Sequence, residues 1–187
     1  MTTQEIRHFG DPVLKTRCDP VTRFDNRIAE LVTDLLETVD APGRAGLAAP
    51  QIGVGVRAFS YNVDDDFGYV INPEIVELSN DQQHGDEGCL SVPGLWFPCT
   101  RAVRAVVRGV DLRNDPVTVR GSGLLGRCLQ HETDHLDGML YLDRLEPEQR
   151  RAAMREVRGC DWFMPGALPA ARPGGRATIG SPWRLGG

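Results

Sequence analysis

The chain has 187 residues, 41% of them hydrophobic and 25% charged, and a net charge of −5. That length suits one buried core, and the mild acidity excludes a general basic field for nucleic acid. Five scattered cysteines, with no C-x-x-C pair, argue against a disulfide framework and for a reducing, cytoplasmic setting.

The opening MTTQEIRHFGDPVL carries early charges and no apolar run, so it does not read as a signal peptide. No stretch approaches the roughly eighteen apolar residues of a membrane span. Ile6 to Val21, punctuated by Gly10-Asp11-Pro12 and Asp19-Pro20, reads as an ordered loop with short extended pieces. Ile28, Leu31, Val32, Leu35, Leu36 and Val39 recur at helical spacing and predict a helix from about Asn26 to Asp40, capped by Asp25 or Asn26. Val56 to Val63 and Tyr69 to Ile71 read as short strands, the second ending at Asn72-Pro73. Ser79 to Gly88 is polar and acidic and reads as a loop. Ala102 to Leu112 and Val117 to Arg120 suggest a hairpin around Asn114-Asp115-Pro116. A second helix runs from near Gly123 through His135, with Gly138 just past its end, and a third begins at Pro147. Neighbouring strands outnumber helices, which predicts an α+β domain of mainly antiparallel sheet packed around the second helix. That domain covers residues 1–164; the Gly-, Pro- and Ala-rich tail from 165 to 187 has too few apolar residues for a core of its own.

The second helix carries the chemistry. Its QHETDH holds an H-E-x-x-H of His131, Glu132 and His135. Residues four apart share a helix face, so both imidazoles can reach one ion. Glu132 projects at another angle, where it can take a proton from water that a divalent ion has made more acidic. The bland alternative is a solvated polar patch. Leu124, Leu125, Leu129 and Leu136 surround the motif, however, and burying two histidines and a glutamate without a shared purpose is expensive.

A catalytic ion of this kind takes three protein ligands. The metzincin pattern is followed as far as Gly138, but Tyr141 stands where its third histidine belongs. A thermolysin-like site would draw on a downstream glutamate, of which Glu156 is the one well inside a predicted helix. The remaining source is an upstream cysteine. Cys89, in the loop-like DEGCLSVPG, is preferred as a ligand over Cys18, Cys99 and Cys160, which read as ordinary small core residues. Cys128 shares a straight helix with the histidine pair and cannot close around the ion with them.

Three ordered motifs, GRAGLAAPQ (Gly43 to Gln51), EGCLS (Glu87 to Ser91) and QHETDH (Gln130 to His135), resemble those of the peptide deformylase family. GDPVL and LDGMLYLDRL extend the likeness over about Ile6 to Leu145. The resemblance implies a metal-dependent hydrolase that removes the formyl group of N-formyl-methionyl nascent peptides and releases formate. It implies Cys89, His131 and His135 as metal ligands, and Glu132 as general base and acid. Gln51 and the backbone N–H of Leu90 would be donors to the oxyanion. It implies a peptide held as an added strand against the first motif, with Gly46, and the Gly88 region. The methionine pocket would involve Leu124, Cys128 and His131. Ferrous iron is the implied working ion, although one thiolate and two imidazoles also suit Zn2+, Ni2+ or Co2+. Glu87 would pair with Arg101, which on its own reads as an exposed ion pair of little worth.

One position departs from the pattern: Arg44 stands where the first motif has its leading glycine. An arginine there narrows the groove, or points outward to meet a substrate carboxylate. Rival classes are a zinc endopeptidase, which would cut unblocked internal peptide bonds, and a protein with a structural ion, in which Glu132 would be dispensable. The arginines of the last helix, Arg150, Arg151, Arg155 and Arg158, read as a solvated face or, more weakly, as a contact for the ribosome.

Overall fold

A computed structural model describes residues 4–163. Near the N-terminus the Asp11 carboxylate accepts from the Val13 N–H and Pro12 opens a 3-10 turn over Pro12–Lys15. The Asp25 side chain, rather than Asn26, caps the first helix, α1 (Asn26–Val39), by accepting from the Arg27 N–H. Its predicted stripe, Ile28, Leu31, Val32, Leu35 and Val39, is buried.

Beyond α1 come β1 (Gly46–Ala48), a 3-10 turn over Ala49–Ile52, β2 (Ala58–Val63), β3 (Asp66–Leu78), β4 (Gln82–Cys89), β5 (Val92–Ala102), β6 (Arg104–Val110) and β7 (Pro116–Ser122). Then follow α2 (Gly123–Leu136), a 3-10 turn over Tyr141–Asp143, and α3 (Pro147–Arg158). The strands form an antiparallel five-stranded sheet of order β1-β2-β3-β6-β7 and a separate β4-β5 pair. This is the expected α+β architecture. Helix α2 packs against strands of both sheets, and everything in it from Leu125 to Leu136 is buried. The tail from 165 to 187, and so the domain boundary drawn at 164, lies outside the described residues.

Two sequence expectations are corrected. Strand β3 does not stop at Asn72-Pro73 but continues to Leu78. Asn72 takes a positive φ of 51° at an irregularity in the β3–β6 register and exchanges two 2.8 Å hydrogen bonds with the backbone of Val21. The turn chemistry is spent on a bulge instead of a turn. Ser79 to Gly88 is not a loop: most of it is β4, paired with β5 from Gln82↔Ala102 to Gly88↔Trp96. Its outward face is polar, so the hydrophobic alternation that marks a strand is missing. Among the described residues, no helix is long and apolar enough to cross a membrane.

Candidate metal centre

Helix α2 begins at Gly123, whose φ of 53° turns the chain out of β7. It ends at Gly138, whose φ of 74° stops it where the sequence indicates. Between them the i, i+4 spacing sets His131 and His135 side by side, with ring centroids 4.9 Å apart. The β4–β5 hairpin brings Cys89 to them from the other side. It turns through Leu90 and Ser91, with Cys89 opposite Val92. Cys89 Sγ and His131 Nε2 each stand 3.2 Å from His135 Nε2. Among the described residues, the His, Cys, Asp and Glu side chains close enough to hold an ion together are Cys89, His131 and His135, their ligand atoms all within 4.8 Å of one another.

This arrangement fits an ion. Nitrogen ligands about 2.0–2.1 Å from a tetrahedral centre lie roughly 3.3 Å apart, close to the observed spacing. His131 Nδ1 lies 2.7 Å from Glu87 Oε1, so as a neutral ring it donates there and keeps its Nε2 lone pair for an ion. Burial alone would lower the His131 pKa, yet Cys89, Glu87 and Glu132 raise it well above its ordinary value. The cavity therefore favours positive charge. His135 is pushed well down, by burial and by His131, so its imidazole is neutral as a ligand must be.

Glu132 is buried beside these ligands, and burial pushes its carboxyl up to about 7. Its Oε2, with His135 Nδ1, is one of two buried side-chain polar atoms with no partner among the described residues. A carboxylate oxygen left free in this position is available to a reacting water. Gly46 makes room for it: a Cβ on Gly46 would overlap Glu132 Oε1 and meet Glu132 Cδ and Cys128 Sγ at 2.7 Å.

Gln51 is buried at the end of the Ala49–Ile52 turn, its Oε1 accepting from the Ala48 N–H at 2.8 Å. That bond turns Nε2 towards Ser91 Oγ (3.3 Å) and Cys89 Sγ (3.6 Å), on the ligand side. A cavity of about 670 Å³ joins these groups to Arg44, Gly46, Gly88, Leu124 and Cys128. Leu124 is 55% exposed at its rim, while Cys128 is buried and donates to the Ala45 carbonyl. Arg44 is half-buried, and its Nη1 donates to the Thr38 carbonyl at the C-terminal end of α1 at 2.6 Å.

Neither rival third ligand reaches the site. The Tyr141 ring lies over His131, but its hydroxyl donates to the Leu95 carbonyl. Glu156 is exposed on α3. The bland reading of Glu87 and Arg101 is also corrected: they form a bidentate pair at 2.6 and 3.1 Å, about 95% buried. Around this pair lies a network that sequence reasoning missed. Arg101 also donates to Asp134, which holds Arg144 through two further bonds. Arg127 donates to Glu87 Oε2 at 2.7 Å. The hydrogen bonds of Glu87 to His131 and Arg101 overcome its burial and hold it well below the usual carboxylate range. The position of Arg127, four residues before His131 on the ligand face of α2, was the available signal.

The profile of the polypeptide deformylase family matches residues 3–151. A peptide deformylase of Acidothermus cellulolyticus is 56% identical over 163 residues, covering 87% of this chain and 89% of that one. Peptide deformylase 1 of Corynebacterium efficiens is 45% identical over 167 residues, covering 87% and 99%. Among solved structures, the Thermotoga maritima peptide deformylase matches with a TM-score of 0.74 at 39% identity, over 79% of this chain and 100% of that one. The Ehrlichia chaffeensis peptide deformylase in complex with actinonin matches with a TM-score of 0.78 at 35% identity, over 85% and 98%.

Proposed function

The chain belongs to the peptide deformylase family, and from that premise we propose that Cys89, His131 and His135 hold the metal ion of its reaction. The reaction is hydrolysis of the N-terminal formyl group of newly made polypeptides, with release of formate. The observation that carries the ligand assignment is the convergence of these three ligand atoms beside Glu132. A divalent ion bound there supplies Lewis acidity, bringing the pKa of a ligand water towards neutrality.

The other tasks fall to this chain's own groups. Glu132 takes a proton from the attacking water, a role suited to a carboxyl poised near 7. The oxyanion that forms on the formyl carbon accepts from Gln51 Nε2 and the Leu90 N–H. As the C–N bond breaks, Glu132 passes the proton to the leaving amine. The peptide extends along the free edge of β1 at Gly46 and past Gly88. Its methionine side chain enters between Leu124 and Cys128, where an apolar lining suits a thioether. Arg44 borders the same groove and shapes peptide binding while the hydrolytic core stays intact. Arg44→Gly therefore changes KM more than kcat; unchanged constants would remove this role.

Ferrous iron is the proposed working ion, and the cytoplasm its setting. The catalytic unit is residues 1–164, followed by the tail 165–187. The exposed Arg155 and Arg158 of α3 support weak ribosome association; Arg150 and Arg151 are paired with Asp143 and Glu148. Salt-insensitive or absent co-sedimentation with ribosomes counts against that contact.

The deciding experiment measures formate release from N-formyl-methionyl peptides, with protein prepared without oxygen and its metal content determined in the same sample, because a thiolate ligand is oxidation-prone. Release is expected from the wild type and is lost in Cys89→Ala and Glu132→Ala. A Glu132→Ala protein that retains full activity would overturn the assignment.

A further inference from the structure

We propose that Arg127 is a positioning residue for the metal ligand His131, acting through Glu87. The inference rests on the ligand role assigned to His131. Arg127, His131 and His135 occupy one i, i+4, i+8 row of α2, so Arg127 extends the ligand face by one turn. Its guanidinium does not enter the ligand cluster. It is about 91% buried, and Nη1 donates both to Glu87 Oε2 at 2.7 Å and to the Cys99 carbonyl at 3.0 Å. One side chain thus ties α2 to β4 and to β5.

Glu87 is the point of action. Oε1 accepts from His131 Nδ1 at 2.7 Å and from Arg101 Nη2 at 2.6 Å. Oε2 accepts from Arg101 Nε at 3.1 Å and from Arg127 at 2.7 Å. Four donors occupy the carboxylate's four acceptor directions, so it cannot rotate away from His131. Removing Arg127 takes the shorter of the two bonds from Oε2 and leaves only the 3.1 Å one. Arg101 cannot fully compensate, because its Nη1 is committed to Asp134. A carboxylate free to swing no longer holds the His131 ring in the tautomer and orientation that point Nε2 at the ion. That carboxylate, as the direct partner of the ligand histidine, is worth about ten- to a hundredfold in metal affinity, and loss of its anchor draws on that range.

The test uses the full chain, stripped of metal and titrated with Co2+ against a competing chelator, with visible spectra recorded at each step. Wild type is expected to bind tightly with thiolate-to-cobalt absorption. Arg127→Met is expected to bind at least about tenfold more weakly with a shifted ligand-field band, and Arg127→Lys within a few-fold of wild type. If the Met variant does not fold, Arg127→Gln, which keeps a donor, carries the same comparison. In a Glu87→Gln background the Arg127 substitution should cause little further loss, because its effect passes through that carboxylate. Unchanged affinity and spectrum in folded Arg127→Met, or in Arg127→Gln where it stands in, or fully additive losses in the double variant, overturns the proposal. A wild type that binds Co2+ without thiolate absorption instead removes the ligand assignment beneath it.

Discussion

Replacing Gly46 with alanine isolates the space in which Glu132 works. The added Cβ would stand 2.7 Å from both Glu132 Cδ and Cys128 Sγ, and closer still to Glu132 Oε1. Ordinary contact begins near 3.4 Å, so Cys128 must retreat by about 0.7 Å (3.4 − 2.7) and Glu132, whose Oε1 is nearer still, by more. Neither retreat is easy, since Cys128 is held by the Ala45 carbonyl and Glu132 sits in a buried turn of α2. Overpacking of this size costs about 1–3 kcal/mol of stability. The larger effect should be kinetic: a displacement approaching 1 Å in a group that handles the proton lowers the rate by roughly a hundredfold. The three atoms nearest the new methyl belong to Glu132 and Cys128, not to the proposed ligands, so metal content should be unchanged. Formate release, metal analysis and a urea melt on the same preparation read all three quantities. A Gly46→Ala enzyme with wild-type kcat and full metal content would show that Glu132 does not need this space.

Three further outcomes follow from the surroundings. Gln51→Ala removes a proposed oxyanion donor and should lower kcat by about 10²–10³-fold while leaving metal content intact; a change confined to KM would reassign Gln51 to peptide binding. Arg101→Met takes the bidentate partner from buried Glu87 and one donor from Asp134, leaving them Arg127, His131 and Arg144, and should destabilise the fold by about 3 kcal/mol, read as the shift in a denaturant transition. Tyr141→Phe leaves the Leu95 carbonyl without its hydroxyl donor and should cost about 1 kcal/mol with no loss of bound metal; metal loss would reopen a ligand role for Tyr141.

Helix α1 was legible because it buries one stripe, which leaves a 3.6-residue period in the sequence; α2, buried all round, was marked by its motif and flanking glycines, and α3 by Pro147. The β6–β7 hairpin was legible because Asn114-Asp115-Pro116 marks its turn, and Asn114 does take a positive φ of 62°. The β4–β5 hairpin was only half visible. Gln82, His84 and Asp86 are exposed, so pairing and not burial holds that strand. The proposed ligand set was read from motif resemblance, and the fold brings Cys89 and the two histidines together. Of the charge network, only the Glu87–Arg101 pair was expected, and that from the resemblance. The bonded partners lie 10 to 44 residues apart, and nothing in a linear chain says which arginine will meet which carboxylate. Arg127 and Arg101 look like surface residues until the fold closes over them.

The β4–β5 pair belongs to neither edge of the larger sheet, so an ion held at the proposed site would take part in folding as well as in hydrolysis. His135 lies 46 residues along the chain from Cys89. An ion that joins them closes a ring of that length, as a covalent crosslink would. Loop-closure entropy for such a ring is worth about 4 kcal/mol in the unfolded chain. The ion is then a clasp between a two-stranded flap and the helix it covers.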